Sequence, residues 1–169
     1  TFGNVVKHAL VKLQPERELK LLQEQLEMSD TVQNRKDLAA YYLRNEEPGK
    51  AIDLYRSCLQ GVFQDDPEIT LALCSALFHA GQYDEVKHTL EKLTQSNPDY
   101  RPEKRELLRA RTLERTGDDS RAISVYENLI KKSGGEEAYY RFGLLLEKTG
   151  NKEKARAVYE GLLKKSKGF

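Results

Sequence analysis

FGLLLEKTGNKEKARAVYEGL, residues 142–162, carries Phe142, Gly143 and Leu146 ahead of a glycine turn at Gly150, then Ala155, Tyr159 and Leu162 beyond it. Steps of one and three, then of four and three, keep these side chains on one side of an α-helix. The segment therefore predicts two helices joined by a tight turn. Gly143 and Ala155 are small where such helices approach each other, and the turn glycine stands where an αL cap disfavours a residue with a Cβ.

Working upstream, the same pattern recurs three times: Leu38, Ala39, Tyr42 with Ala51, Tyr55, Cys58; Leu73, Cys74, Leu77 with Val86, Leu90, Leu93; and Arg109, Ala110, Leu113 with Ala122, Tyr126, Leu129. All six columns are offset by 35, 36 and 33 residues in turn, a register that chance amphipathic helices would lose. Gly81, Gly117 and Gly150 are each followed five residues later by Val or Ala, while Glu46 stands where the first turn glycine would be. Asp or Asn after the turn glycine can cap the next helix. Prolines at 67, 98 and 102 and the pair Gly134-Gly135 break the chain between units. Helices are expected near 31–45, 49–62, 67–80, 83–96, 103–116, 119–132, 136–149 and 152–166. Leu19, Leu22 and Leu26 predict a further helix over 16–28 that covers the first unit as a cap.

With that spacing the chain resembles the tetratricopeptide repeat (TPR) family, whose unit of about 34 residues sets small and aromatic residues at fixed positions. The match covers residues 31–166, and Val86 and Arg109 depart from the usual alanine and apolar residue. The resemblance implies an all-α, right-handed superhelical solenoid of stacked antiparallel helix pairs, about four TPR units plus a capping helix. The expected division is an N-terminal stalk and cap over 1–30 and a repeat domain over 31–169, with units near 31–65, 66–101, 102–134 and 135–167. The run from Gln60 to Pro67, followed by Asn97 to Arg101, is similar to a divergent bacterial subgroup that often carries a short N-terminal membrane segment. That similarity, with Thr1 in place of an initiator Met, implies a fragment of a cytoplasmic protein tethered to the inner membrane by a segment ahead of this chain.

The family's concave groove is lined mainly by the first helix of each pair. Carried over residue by residue, it collects Lys36, Arg44, Leu71, Phe78, His79, Lys104, Arg111, Arg115, Tyr140, Arg141, Leu144 and Lys148. Such a basic surface with apolar patches suits a protein or peptide bearing acidic groups, the cations steering and the apolar residues holding. Ordinary solvated cations, some paired with Glu68, Glu114 and Glu147, would give the same letters. The family's clamp for a C-terminal carboxylate is not expected, because Ala40, Ala72 and Leu108 replace three of its five polar residues.

Size and composition agree with a soluble, helix-rich domain: 169 residues, 33% charged, five prolines and no tryptophan. Residues 1–84 hold nine Lys/Arg against thirteen Asp/Glu and residues 85–169 nineteen against fourteen, an asymmetry that could orient a partner. No apolar run is long enough to cross a bilayer. Cys58 and Cys74 fall in core columns, which favours packing over a nucleophile or a disulfide, and His8, His79 and His88 are too scattered to bind zinc with them. Asp65-Asp66 and Asp118-Asp119 sit at helix starts, where the helix dipole accounts for them. No phosphate loop, nucleophile elbow or metalloprotease helix occurs, so neither catalysis nor a cofactor is expected. A net charge of +1 is a weak footprint for nucleic acid, leaving an RNA or anionic-surface module as the second function and self-assembly as a third.

Overall fold

The computed structural model describes residues 15–132 and 134–168, in which nine α-helices and one 3-10 turn occur and no strand. They are α1 (Pro15–Met28), α2 (Val32–Arg44), α3 (Pro48–Cys58), α4 (Pro67–His79), α5 (Tyr83–Ser96), α6 (Pro102–Arg115), α7 (Asp119–Lys132), α8 (Glu136–Lys148) and α9 (Lys152–Ser166). Two compact units divide between Gln82 and Tyr83.

In the first unit α2 packs on α3 and both meet α4. The columns expected to face inward do so: Ala39 and Cys74 are 0% exposed, Ala51 0%, Tyr55 5% and Cys58 1%. Neither Cys58 nor Cys74 is in a disulfide. Pro67 starts α4 at a position where its missing N–H costs nothing, and Asp66 caps it by accepting from the Ile69 N–H at 2.9 Å. The helix α1 rests on α2 through the Tyr41 hydroxyl, 3.0 Å from the Pro15 carbonyl oxygen, and an Arg44–Glu18 pair at 2.7 Å.

In the second unit α6 packs on α7, α7 on α8, and α8 on α9, with α5 against α6. Tyr126 and Phe142 stack with centroids 5.8 Å apart at the centre of a cluster that includes Leu113, Ala122, Leu145, Leu146 and Ala155. Asp118 accepts from the Arg121 N–H at 3.2 Å, capping α7 in the manner expected for the residue after a turn glycine.

Each helix pair turns in the same way. The N–H groups of Glu47, Gln82, Asp118 and Asn151 donate to the carbonyls of Tyr42, Leu77, Leu113 and Leu146 at 2.8–2.9 Å, closing a Schellman turn over a residue of positive φ. That residue is Gly81 (φ 74°), Gly117 (79°) or Gly150 (83°), and between α2 and α3 it is Glu46 (60°). A side chain there costs about 1–2 kcal/mol, partly offset because glycine loses more chain entropy on folding, by about 0.5–1 kcal/mol. Glu46→Gly is therefore expected to raise stability by about 0.5 kcal/mol and the thermal midpoint with it; a lower midpoint in calorimetry would contradict this account of the turn.

One helix ends early. The pattern predicts a helix over 49–62, whereas α3 stops at Cys58 and the chain enters a 3-10 turn over Gly61–Phe63. Gly61 adopts φ 56°, a value closed to helix, and leaves Val62 94% exposed.

Candidate partner-binding surface

The residues expected to line a groove divide according to how much of each helix is apolar. PEITLALCSALFH in α4 is hydrophobic around most of its circumference, and such a helix is buried on every side. Leu71 and Phe78 are accordingly 3% and 5% exposed, core residues that correct the expectation of apolar surface there. His79 is exposed, with its Nδ1 2.7 Å from the Ser75 carbonyl oxygen. Lys36 is half-buried and paired with Glu68 at 2.8 Å, a contact that holds its ammonium above the usual lysine range, and Arg44 is engaged by Glu18.

The second unit presents a different surface. Along α8 the spacing Glu137, Tyr140, Arg141, Leu144, Lys148 places five side chains in one stripe. Tyr140 is 53% and Leu144 43% exposed, two large apolar groups one turn apart that reach solvent. Around them the cations contact acids of the same chain. Arg141 Nε lies 2.7 Å and Arg111 Nη1 4.0 Å from the same Glu137 Oε1, and Lys148 Nζ lies 3.0 Å from Asp119 Oδ2. Burial, and then the charge of Arg141, lowers Arg111 from its ordinary value: two guanidiniums crowd one carboxylate. Lys104 and Arg115 are exposed on α6.

Glu114 and Glu147, weighed above as partners of the groove cations, accept hydrogen bonds from tyrosines. Tyr126 donates to Glu114 and Tyr159 to Glu147, the latter at 2.9 Å, one repeat apart. Burial, then this hydrogen bond, pushes Tyr159 up to about 12, and the same two causes raise Tyr126. With those acids engaged, Glu137 is the carboxylate at the centre of the stripe.

Beside Glu137 opens a cleft of about 810 Å³ between α6, α7 and the first turn of α8. Leu107, Val125, Leu129 and Ala138 line it, with Arg101, Lys104 and Lys132 facing Glu103, Glu106, Glu136 and Glu137 around its charged rim. The sequence pattern left this cleft unseen, because its lining comes from helix ends and an inter-repeat linker. Among the described residues no group of three or more His, Cys, Asp or Glu is placed to hold a metal ion, and no helix is long and apolar enough to cross a membrane.

Helices joined two by two through the same turn over a residue of positive φ define a helical-repeat protein. Tetratricopeptide-repeat models match residues 42–111 and 107–168, and the chain belongs to the tetratricopeptide repeat family. No curated protein matches it by sequence. Among solved structures it is similar to MamA from Desulfovibrio magneticus RS-1, with 11% identity over 99% of this chain and 94% of that one at a TM-score of 0.74. The kinesin light chain TPR-like repeats of Podosopora anserina give 15% identity, 98% and 94% coverage and 0.73, and the TPR protein YrrB 17%, 96% and 81%, and 0.61. These likenesses establish the all-α repeat solenoid.

Proposed function

We propose that this chain is a non-enzymatic scaffold that binds a protein or peptide partner, using in its second unit the α8 stripe and the adjoining cleft. The observation that carries this reading is the exposure of Tyr140 and Leu144 one turn apart, flanked by Arg111, Arg141 and Lys148. Exposed aromatic and apolar residues set among arginines are the usual anchors of an interface. The ion pairs of the stripe are largely solvated and worth about 0–1 kcal/mol each, so an acidic group on the partner can take the place of Glu137 at little cost. YrrB, of the same fold, is described as having an unusual peptide-binding site, which supports a peptide as the partner class. Lys36, Arg44, His79, Lys104 and Arg115 would contribute long-range attraction, not anchoring.

The test is quantitative affinity capture with the unaltered chain beside a Tyr140→Ala, Leu144→Ala variant, an Arg141→Glu variant and a Leu163→Ala control, Leu163 being 57% exposed elsewhere on α9. Proteins held by the unaltered chain and the control should be lost from the double variant and weakened in the charge reversal. Equal recovery from all four would refute the proposal. Capture that disappears on nuclease treatment, or falls about a thousandfold between 50 and 200 mM salt, would point to nucleic acid in its place.

A further inference from the structure

Two helices, α1 and α9, leave apolar side chains open to solvent. In the third repeat Leu129 is 5% exposed and Ile130 half-buried, near the end of α7, on which α8 packs. The fourth repeat puts Leu162 and Leu163 at the same two positions, and there Leu162 is half-buried and Leu163 57% exposed. The register thus marks on α9 the face that takes a following helix in the repeat before it. Lys152, Arg156 and, just past the helix, Lys167 lie round that face; Glu160 is the acid among them, engaged by Arg156 at 3.3 Å.

Among the described α-helices, α1 alone carries no buried residue, although four of its 14 residues are leucine. Leu19, Leu22 and Leu26 are half-buried, while Leu21 is 45% and Met28 87% exposed, two turns apart on another side. The charge of α1 is opposite to that of α9. Glu16, Glu18, Glu24 and Glu27 stand against Arg17 and Lys20, a net −2, which Arg44, paired with Glu18, reduces to −1. Lys152, Lys154, Arg156, Lys164 and Lys165 stand against Glu153 and Glu160, a net +3, which Glu127, paired with Lys154, reduces to +2. The compact units carry the same signs with every internal pair counted: residues 1–82 hold nine Lys/Arg against twelve Asp/Glu, and residues 83–169 nineteen against fifteen.

We propose that α9 of one chain docks on α1 of a second copy, Leu162 and Leu163 against Leu21 and Met28, so that copies associate head to tail. Burial of these side chains holds the contact, and the opposite charges of the two units orient it. A two-fold contact of α9 with α9, or of α1 with α1, would bring like charges together in place of opposite ones. Tyr140 and Leu144 belong to α8 and take no part, so the contact goes beyond the partner surface and fails separately from it. Leu163→Ala, the control for partner capture, should weaken self-association.

Sedimentation velocity of the intact chain tests the assignment. The mean sedimentation coefficient should rise with concentration, since each added copy brings a fresh α1 or α9 face. A Leu21→Gln, Met28→Gln variant and a Leu163→Gln, Lys167→Gln variant are altered only at exposed positions and should keep the thermal midpoint of the unaltered chain. Each should self-associate with a dissociation constant at least about tenfold higher. Mixed in equal amounts they should form a dimer and nothing larger, because the first keeps its α9 face and the second its α1 face, and glutamine adds no charge to attract one to the other. A chain that stays monomeric up to about 1 mM, either variant associating as the unaltered chain does, or a mixture that stays monomeric would each overturn the proposal.

Discussion

Phe142→Ala is expected to cost the second unit about 3–5 kcal/mol, enough to move its urea midpoint far to lower denaturant. Phe142 is 1% exposed, stacks on Tyr126 and packs among Leu145, Leu146, Ala155 and Val158. Alanine is the better helix former, so propensity works in favour of the variant and the loss measures packing alone. It combines the transfer of the ring to water with the cavity left when α7, α8 and α9 cannot close on it. Phe142→Leu, which keeps much of the volume, should lose less than half as much. Urea unfolding followed by circular dichroism checks both, and a loss under about 1 kcal/mol for the alanine variant would show that the cluster is not the core of this unit.

Gly143→Val should destabilise the same unit by about 2–3 kcal/mol, through crowding in place of a cavity. A Cβ built on Gly143 would lie 2.2 Å from Cε1 and 2.5 Å from Cζ of the Tyr159 ring, far inside contact distance. Replacing a mid-helix glycine ordinarily gains up to about 1 kcal/mol in helix propensity, so the sign of the change decides which effect wins. The ring cannot yield freely, because its hydroxyl donates to Glu147. On a Tyr159→Ala background the crowding has no object, and the cost of Gly143→Val should shrink to nearly nothing. The same penalty on both backgrounds in a double-mutant cycle would exclude the ring as its cause.

The helices were legible because three signals agree within each unit: a periodic apolar face, a small residue at the helix contact and a glycine at the turn. Even Glu46, which lacks the turn residue type, was placed by its column, and it adopts the positive φ of the glycines it replaces. The exception at Cys58 had a signal in Gly61, which the apolar residues on either side concealed.

The surface was less legible, for a reason visible in α4. Periodicity distinguishes the faces of a helix only when one of them is polar, and Leu71 and Phe78 lie on a helix with little polar face. On α8 the neighbours Glu137, Arg141 and Lys148 mark the solvent side, and Tyr140 and Leu144 are exposed as expected. Arg105, 4% exposed, was not singled out at all: nothing in one arginine among 28 basic residues says that it is buried, although Arg109 four residues on was already out of place in its column.

The Schellman turn ties two things together that are separable in most proteins. The carbonyls that close it belong to Tyr42, Leu77, Leu113 and Leu146, themselves one column of the core. Adding or deleting a residue within a pair would displace the turn and rotate the second helix by about 100°, throwing its apolar side outward. Such changes in length can be tolerated only where one pair gives way to the next. The chain bears the mark of that restriction. From first column to fourth the spacing is 13 residues in all four pairs, Leu38 to Ala51 through Phe142 to Ala155, whereas from Cys58 to Leu73, Leu93 to Arg109 and Leu129 to Phe142 it is 15, 16 and 13. Loops grafted into this framework belong in those joints.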